Sequence, residues 1–156
     1  MKARWPVRKR LAAVLAQAEG LATTRVSVTP PTALRVGAEH IWCSTASGPI
    51  VTGPSASGRQ INDDEFTVTV GVLTRRGKDH DECMERVSEI CSAIYDAVAD
   101  GTNQLLGWGV DGDWEVHEFT VGSATDGPGT DATEQFPFAS AEIQIDFEVR
   151  YWGGNQ

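Results

Sequence analysis

The chain has 156 residues, 40% of them hydrophobic and 22% charged, a composition that fits one folded globular domain (residues 1–156) rather than a disordered chain. No run of about 18 apolar residues occurs, which excludes a membrane-spanning helix. The formal net charge is −9 but uneven: residues 1–10 hold Lys2, Arg4, Arg8, Lys9 and Arg10 without an acid, leaving the remainder at −14. A body this acidic repels nucleic-acid phosphates and argues against a general DNA-binding surface. The basic start is a solvated helix end, or a contact for a phosphate backbone or an acidic partner protein. It leads into no apolar run with a small-residue cleavage site, so no secretory signal is expected and the chain is expected to stay in the cytoplasm where it is made.

The first element is an amphipathic helix from about Pro6 to Leu21. Leu11, Val14, Leu15, Ala18 and Leu21 recur at three- and four-residue intervals, Pro6 suits the first turn, and Gly20 is a stop signal. A short strand, Arg25–Val28, ends at Pro30-Pro31, because adjacent prolines cannot sit inside a sheet ladder. Glu39–Ser44 reads as a second strand. Residues 46–60, with Gly48, Pro49, Gly53, Pro54 and Gly58, read as a long projecting loop carrying Ile50 and Val51 outward.

Phe66, Val68, Val70 and Val72 alternate with Thr67, Thr69 and Gly71, the period of a half-buried strand. Asp79 or Asp81 then caps a helix that runs to about Asp100, with Cys83, Met84, Val87, Ile90, Cys91, Ile94 and Val98 as its apolar stripe. Trp114–Val121 alternates again, and residues 122–137, rich in Gly, Asp and Thr, read as a second long loop. The last strand is the strongest: Ala141, Ile143, Ile145, Phe147, Val149 and Tyr151 share one side, and Glu142, Gln144, Asp146, Glu148 and Arg150 the other. Two helical stripes and one apolar sheet face predict an α+β, two-layer sandwich: a mainly antiparallel sheet with two helices packed on one face.

No catalytic constellation emerges. His40, His80 and His117 are scattered, and the serines lack a nucleophile-elbow context. Asp79, His80, Asp81 and Cys83 read as capping groups rather than metal ligands. Asp111-Gly112-Asp113 lacks the further ligands of a calcium loop. Cys43, Cys83 and Cys91 have no CxxC spacing, so neither a zinc site nor a disulfide framework is indicated. No catalytic, cofactor or metal residue is assigned. Aromatic and basic residues outside the stripes, Trp5, Arg8, Arg10 and Trp152, join Ile50 and Val51 as candidate interface positions.

The order of these elements resembles the tail terminator (tail completion) proteins of long-tailed bacteriophages. The resemblance is carried by the N-terminal helix, Val26-Ser27-Val28-Thr29-Pro30, Ile41-Trp42, Phe66–Val70, the helix 81–99, Gly107-Trp108-Gly109 and the strand Ala141–Tyr151, most of residues 5–152. It implies a non-enzymatic ring, commonly a hexamer, set on the last tail-tube ring. That ring stops polymerisation and offers a docking surface to the head connector. The partners implied are further copies, the tail-tube protein and the head–tail connector, in the host cytoplasm during assembly and then in the virion. DNA passes through the lumen without specific binding, and no cofactor is implied. Tail-tube and neck subunits share the layout and stand as the alternative, with a small-ligand or enzymatic domain as a third class. In a ring, Glu142, Asp146 and Glu148 are expected to face the lumen, where like charge repels passing DNA. An ordinary solvated sheet face is the competing reading.

Overall fold

The computed structural model describes residues 3–31, 38–48, 50–54, 60–110, 112–130 and 137–151. In chain order these form α1 (Arg4–Ala16), β1 (Arg25–Ser27), β2 (Glu39–Ser47), β3 (Ile50–Pro54), β4 (Gln60–Thr74), α2 (His80–Ala99), a 3-10 turn (Gly101–Asn103), β5 (Trp114–Thr130) and β6 (Pro137–Tyr151). The strands make one six-stranded sheet in the order β1-β2-β4-β6-β5, with β3 paired to the first residues of β4. Among the described residues only β1 and β2 pair in parallel; the other ladders are antiparallel. This is the expected α+β sandwich.

Strand alternation builds the core. On β6, Ala139, Ala141, Ile143, Ile145, Phe147, Val149 and Tyr151 are all buried. Their register partners Phe66, Val68, Val70 and Val72 on β4 share that side. Both helices cover it: α1 packs on β1 and β2, α2 on β4, β5 and β6. Val7, Leu11 and Leu15 of α1 and Cys83, Val87, Ile90 and Ile94 of α2 close the layer. Phe147 stacks on Phe66 at 5.7 Å between ring centroids and meets Phe119 at 6.0 Å, tying the three longest strands together.

α2 starts where its cap dictates. The Asp79 side chain accepts from the Glu82 N–H at 2.9 Å, satisfying one N-terminal donor of the helix, and Glu82 Oε2 accepts from the N–H of Lys78, just before the cap, at 2.6 Å. α1 ends at Ala16, short of Leu21. Single-turn bonds replace the helix ladder from Gln17 onward, and Gly20 takes a φ of +86°, yet Leu21 still reaches the core.

Both expected loops are largely strand. Within 46–60, β2 continues to Ser47 and β3 runs from Ile50 to Pro54; within 122–137, β5 continues to Thr130 and β6 begins at Pro137. Pairing to the long central strands supplies the backbone hydrogen bonds that composition alone does not reveal. Gly and Pro are tolerated because these stretches lie at the periphery of the sheet, where missing donors face outward.

Two buried ion pairs lock the layers. Asp64 is fully buried on β4 and receives Arg4 as a fork, Nη2 at 2.7 Å and Nε at 3.0 Å. Glu39 at the start of β2 receives Arg86 Nε at 2.6 Å, Arg86 Nη2 at 2.9 Å and the Thr24 hydroxyl at 2.8 Å. Burial pushes the Glu39 pKa up, but the Arg86 and Thr24 hydrogen bonds outweigh it and hold it below the usual carboxylate range.

Candidate functional site

Because β6 alternates without a break, its other side presents Glu142, Gln144, Asp146, Glu148 and Arg150 away from both helices. No element among the described residues covers this face. The register then assembles rows across β4, β6 and β5. Asp63, Arg150 and Glu115 form one row, Glu65, Glu148 and Glu118 the next, and Thr67, Asp146 and Thr120 a third. Further along, Gly71, Glu142 and Thr125 align.

The second row sets three glutamates side by side on adjacent strands. Like charges directly opposite in a ladder are destabilising. The single cation of these rows, Arg150, is drawn to Asp63 at 3.2 Å and lies 3.8 Å from Glu148, and among the described residues Glu65 and Glu118 have no ion-pair partner. Asp146 accepts from the Thr67 hydroxyl. Together Glu65, Thr67, Glu118, Thr120, Asp146 and Glu148 line a shallow trough of about 380 Å³. At one margin Trp42 lies across Gly71, where a Cβ would sit 2.2 Å from the indole.

The three carboxylates expected on a lumen-facing surface thus share one uncovered face, with Glu142 and Asp146 exposed and Glu148 half-buried. Sequence reasoning missed Glu65 and Glu118. The signal for Glu65 was present in the alternation around Phe66; that both lie opposite Glu148 depends on register, which no single strand encodes.

The interface candidates scatter. Trp5 is 51% exposed, with the Arg8 guanidinium stacked 5.2 Å from its ring centroid. Arg8 is half-buried and donates to the Cys43 carbonyl at 3.1 Å. Arg10 turns inward, donating to the Asn103 carbonyl at 2.7 Å and lying 5.7 Å from the Trp108 ring centroid. Its charge is therefore committed to closing the bottom of the helix layer rather than to an open surface. Ile50 and Val51 open β3, paired with Asp64 and Asp63, and their side chains fall outside the described part. Trp152 lies outside the described residues.

No described group of three or more His, Cys, Asp or Glu is placed to hold a metal ion. His40 is buried beside the Ser27 hydroxyl at 2.6 Å, and burial, with the charge of Arg25, lowers its pKa. Cys43 is buried in the core, which pushes its thiol up to about 12 against a small opposing pull from Arg8. Such a thiol is inert as a nucleophile.

No protein-family model matches the chain, and no curated protein matches it. Among solved structures it is similar to a chain of the virion of a native gene transfer agent (GTA) particle. That match has a TM-score of 0.51 and 12% identity, and covers 92% of this chain and 91% of the other. At this identity the likeness is one of fold.

Proposed function

We propose that the chain is a structural virion protein that forms a ring on the completed tail tube of a phage-like particle. The ring stops further polymerisation and presents the surface on which the head connector docks. The observation that carries this reading is the fold, shared over nine-tenths of both chains with a subunit of a GTA virion. The element order read from the sequence points the same way, toward tail terminators.

The physics of the subunit suits the role. In such a ring the copies meet through two different surfaces, and these heterologous contacts close when the rotation per step divides a full turn. The uncovered carboxylates line the lumen. Glu142, Asp146 and Glu148, joined by Glu65 and Glu118, repel DNA phosphates, so the genome slides past, whereas a basic lining would hold it by counterion release. The role asks for no catalysis, cofactor or membrane; the chain assembles in the host cytoplasm and ends in the virion.

Electron microscopy of tails made with and without this protein tests the reading. Tails lacking it are expected to be overlong and unable to join heads. Tails of normal length that still join heads would contradict the proposal, and long tubes formed by the purified chain would instead make it a tube subunit.

A further inference from the structure

Among the described residues the exposed large apolar side chains are Trp5, Tyr95, Leu106 and Val110; Tyr95 stands on α2, whereas Trp5 and the pair Leu106 and Val110 lie toward opposite ends of the sheet. Trp5 is 51% exposed, and Leu106 and Val110 are 62% and 38% exposed. Trp5 sits on the side of α1 that carries Arg8, which donates to the carbonyls of Cys43 on β2 and Val28 just past β1. That is the β1–β2 end. Leu106 and Val110 flank Gly107 and Trp108, whose backbone bonds both polar groups of one β5 residue: the Gly107 N–H donates to the Val116 carbonyl at 2.7 Å, and the Val116 N–H donates to the Trp108 carbonyl at 2.8 Å. With both groups of Val116 turned away from β6, this segment lies on the outer edge of β5, the opposite end.

The charges divide the same way. Neither Arg8 nor Lys9 forms an ion pair with a carboxylate among the described residues; Arg8 donates to neutral carbonyls and stacks on the Trp5 ring. Trp5 and Lys9 are one helical turn apart and share a face. At the other end Asp113 is exposed three residues beyond Val110 and forms no ion pair among the described residues. A single exposed Leu or Trp is ordinary. An aromatic–cationic knob at one end of a sheet and an aliphatic–acidic patch at the other form a complementary pair.

We propose that the ring closes through this pair, with Trp5, Arg8 and Lys9 of one copy seated on Leu106, Val110 and Asp113 of the next. This rests on the ring reading above and adds which surfaces meet. The occupant is a second copy because both halves of the match lie on this chain, and because two different surfaces give a heterologous contact that propagates and closes. Arg8 over Trp5 holds the indole in place before contact, and Trp and Arg are the residue types that most often dominate interface energetics. The contact leaves the acidic sheet face uncovered, as a lumen requires.

The test is the assembly of purified full-length variants across a concentration series, followed by mass photometry, with thermal unfolding checked for each. Trp5→Ser and Leu106→Ser are each expected to raise the half-assembly concentration about tenfold or more without lowering the unfolding temperature of the monomer. Lys9→Asp and Asp113→Lys are expected to weaken assembly singly and to restore it together. A photo-crosslinker at position 5 is expected to capture residues 105–113 of another copy. Wild-type rings with unaffected variants would overturn this contact and leave the ring reading intact. A wild-type chain that stays monomeric at every concentration would overturn both. Crosslinks from position 5 to a tube or connector protein in assembled tails would reassign the knob to that partner.

Discussion

Asp64 and Glu39 show how single charges hold the two layers in register. Asp64 sits wholly inside the fold with Arg4 forked onto it, and removing one partner of such a pair strands the other in a low-dielectric site. Asp64→Asn is expected to lower stability by about 3–5 kcal/mol, measured by urea unfolding. Glu39 gives a pH signature. Its pKa is below the ordinary range in the folded chain, so its contribution is complete above the unfolded carboxylate value and is lost as pH falls through the lowered one. Glu39→Gln is therefore expected to start less stable at neutral pH and to lose less than wild type on acidification below about pH 4.5, read from Tm against pH. Neither partnership was legible in the sequence: Arg4 lies 60 residues from Asp64, and Arg86 lies 47 from Glu39. Sequence reading assigned the basic N-terminus to solvent or to a partner. The structure commits Arg4 and Arg10 inside the chain and leaves Lys9 exposed, with Arg8 stacked on Trp5.

At the scale of elements, the local signals that repeat were read correctly. The second helix has an acid cap, an unbroken stripe of Cys83, Val87, Ile90 and Ile94, and Gly101 beyond its end, and it forms between His80 and Ala99. The last strand alternates and is buried on every second residue from Ala139 to Tyr151. Residues 46–60 and 122–137 failed the same reading because Gly, Pro and Asp mask strand propensity, which tertiary pairing overrides. Gly71 illustrates a constraint visible only after pairing. It lies opposite Trp42, and the absent Cβ is the space the indole occupies. Gly71→Ala is expected to displace Trp42 and cost about 1–3 kcal/mol, checked by thermal unfolding, despite the better strand propensity of Ala.

At the scale of the whole molecule, the polarity of the last strand's outer side was legible, whereas the charge rows were not, because they arise from three strands in one register. Glu65, Glu148 and Glu118 make a face that costs the isolated subunit stability. Glu118→Gln is expected to raise Tm by about 1–3 °C at low ionic strength, with the gain shrinking in salt as screening replaces the substitution. A gain unchanged by salt would show that repulsion across the row is not its cause. On the proposed reading, the same charge would serve the passage of DNA through the particle. Virions carrying Glu142→Lys, Asp146→Lys and Glu148→Lys together are expected to assemble with tails of normal length but to release DNA more slowly, as measured by dye-detected ejection. Ejection at the wild-type rate would remove these residues from the lumen. The lumen reading depends on closure into a ring, which negative-stain electron microscopy of the purified chain reads directly. Closed rings of one size with an open centre are the expected result; a field of monomers across the accessible concentration range would contradict it.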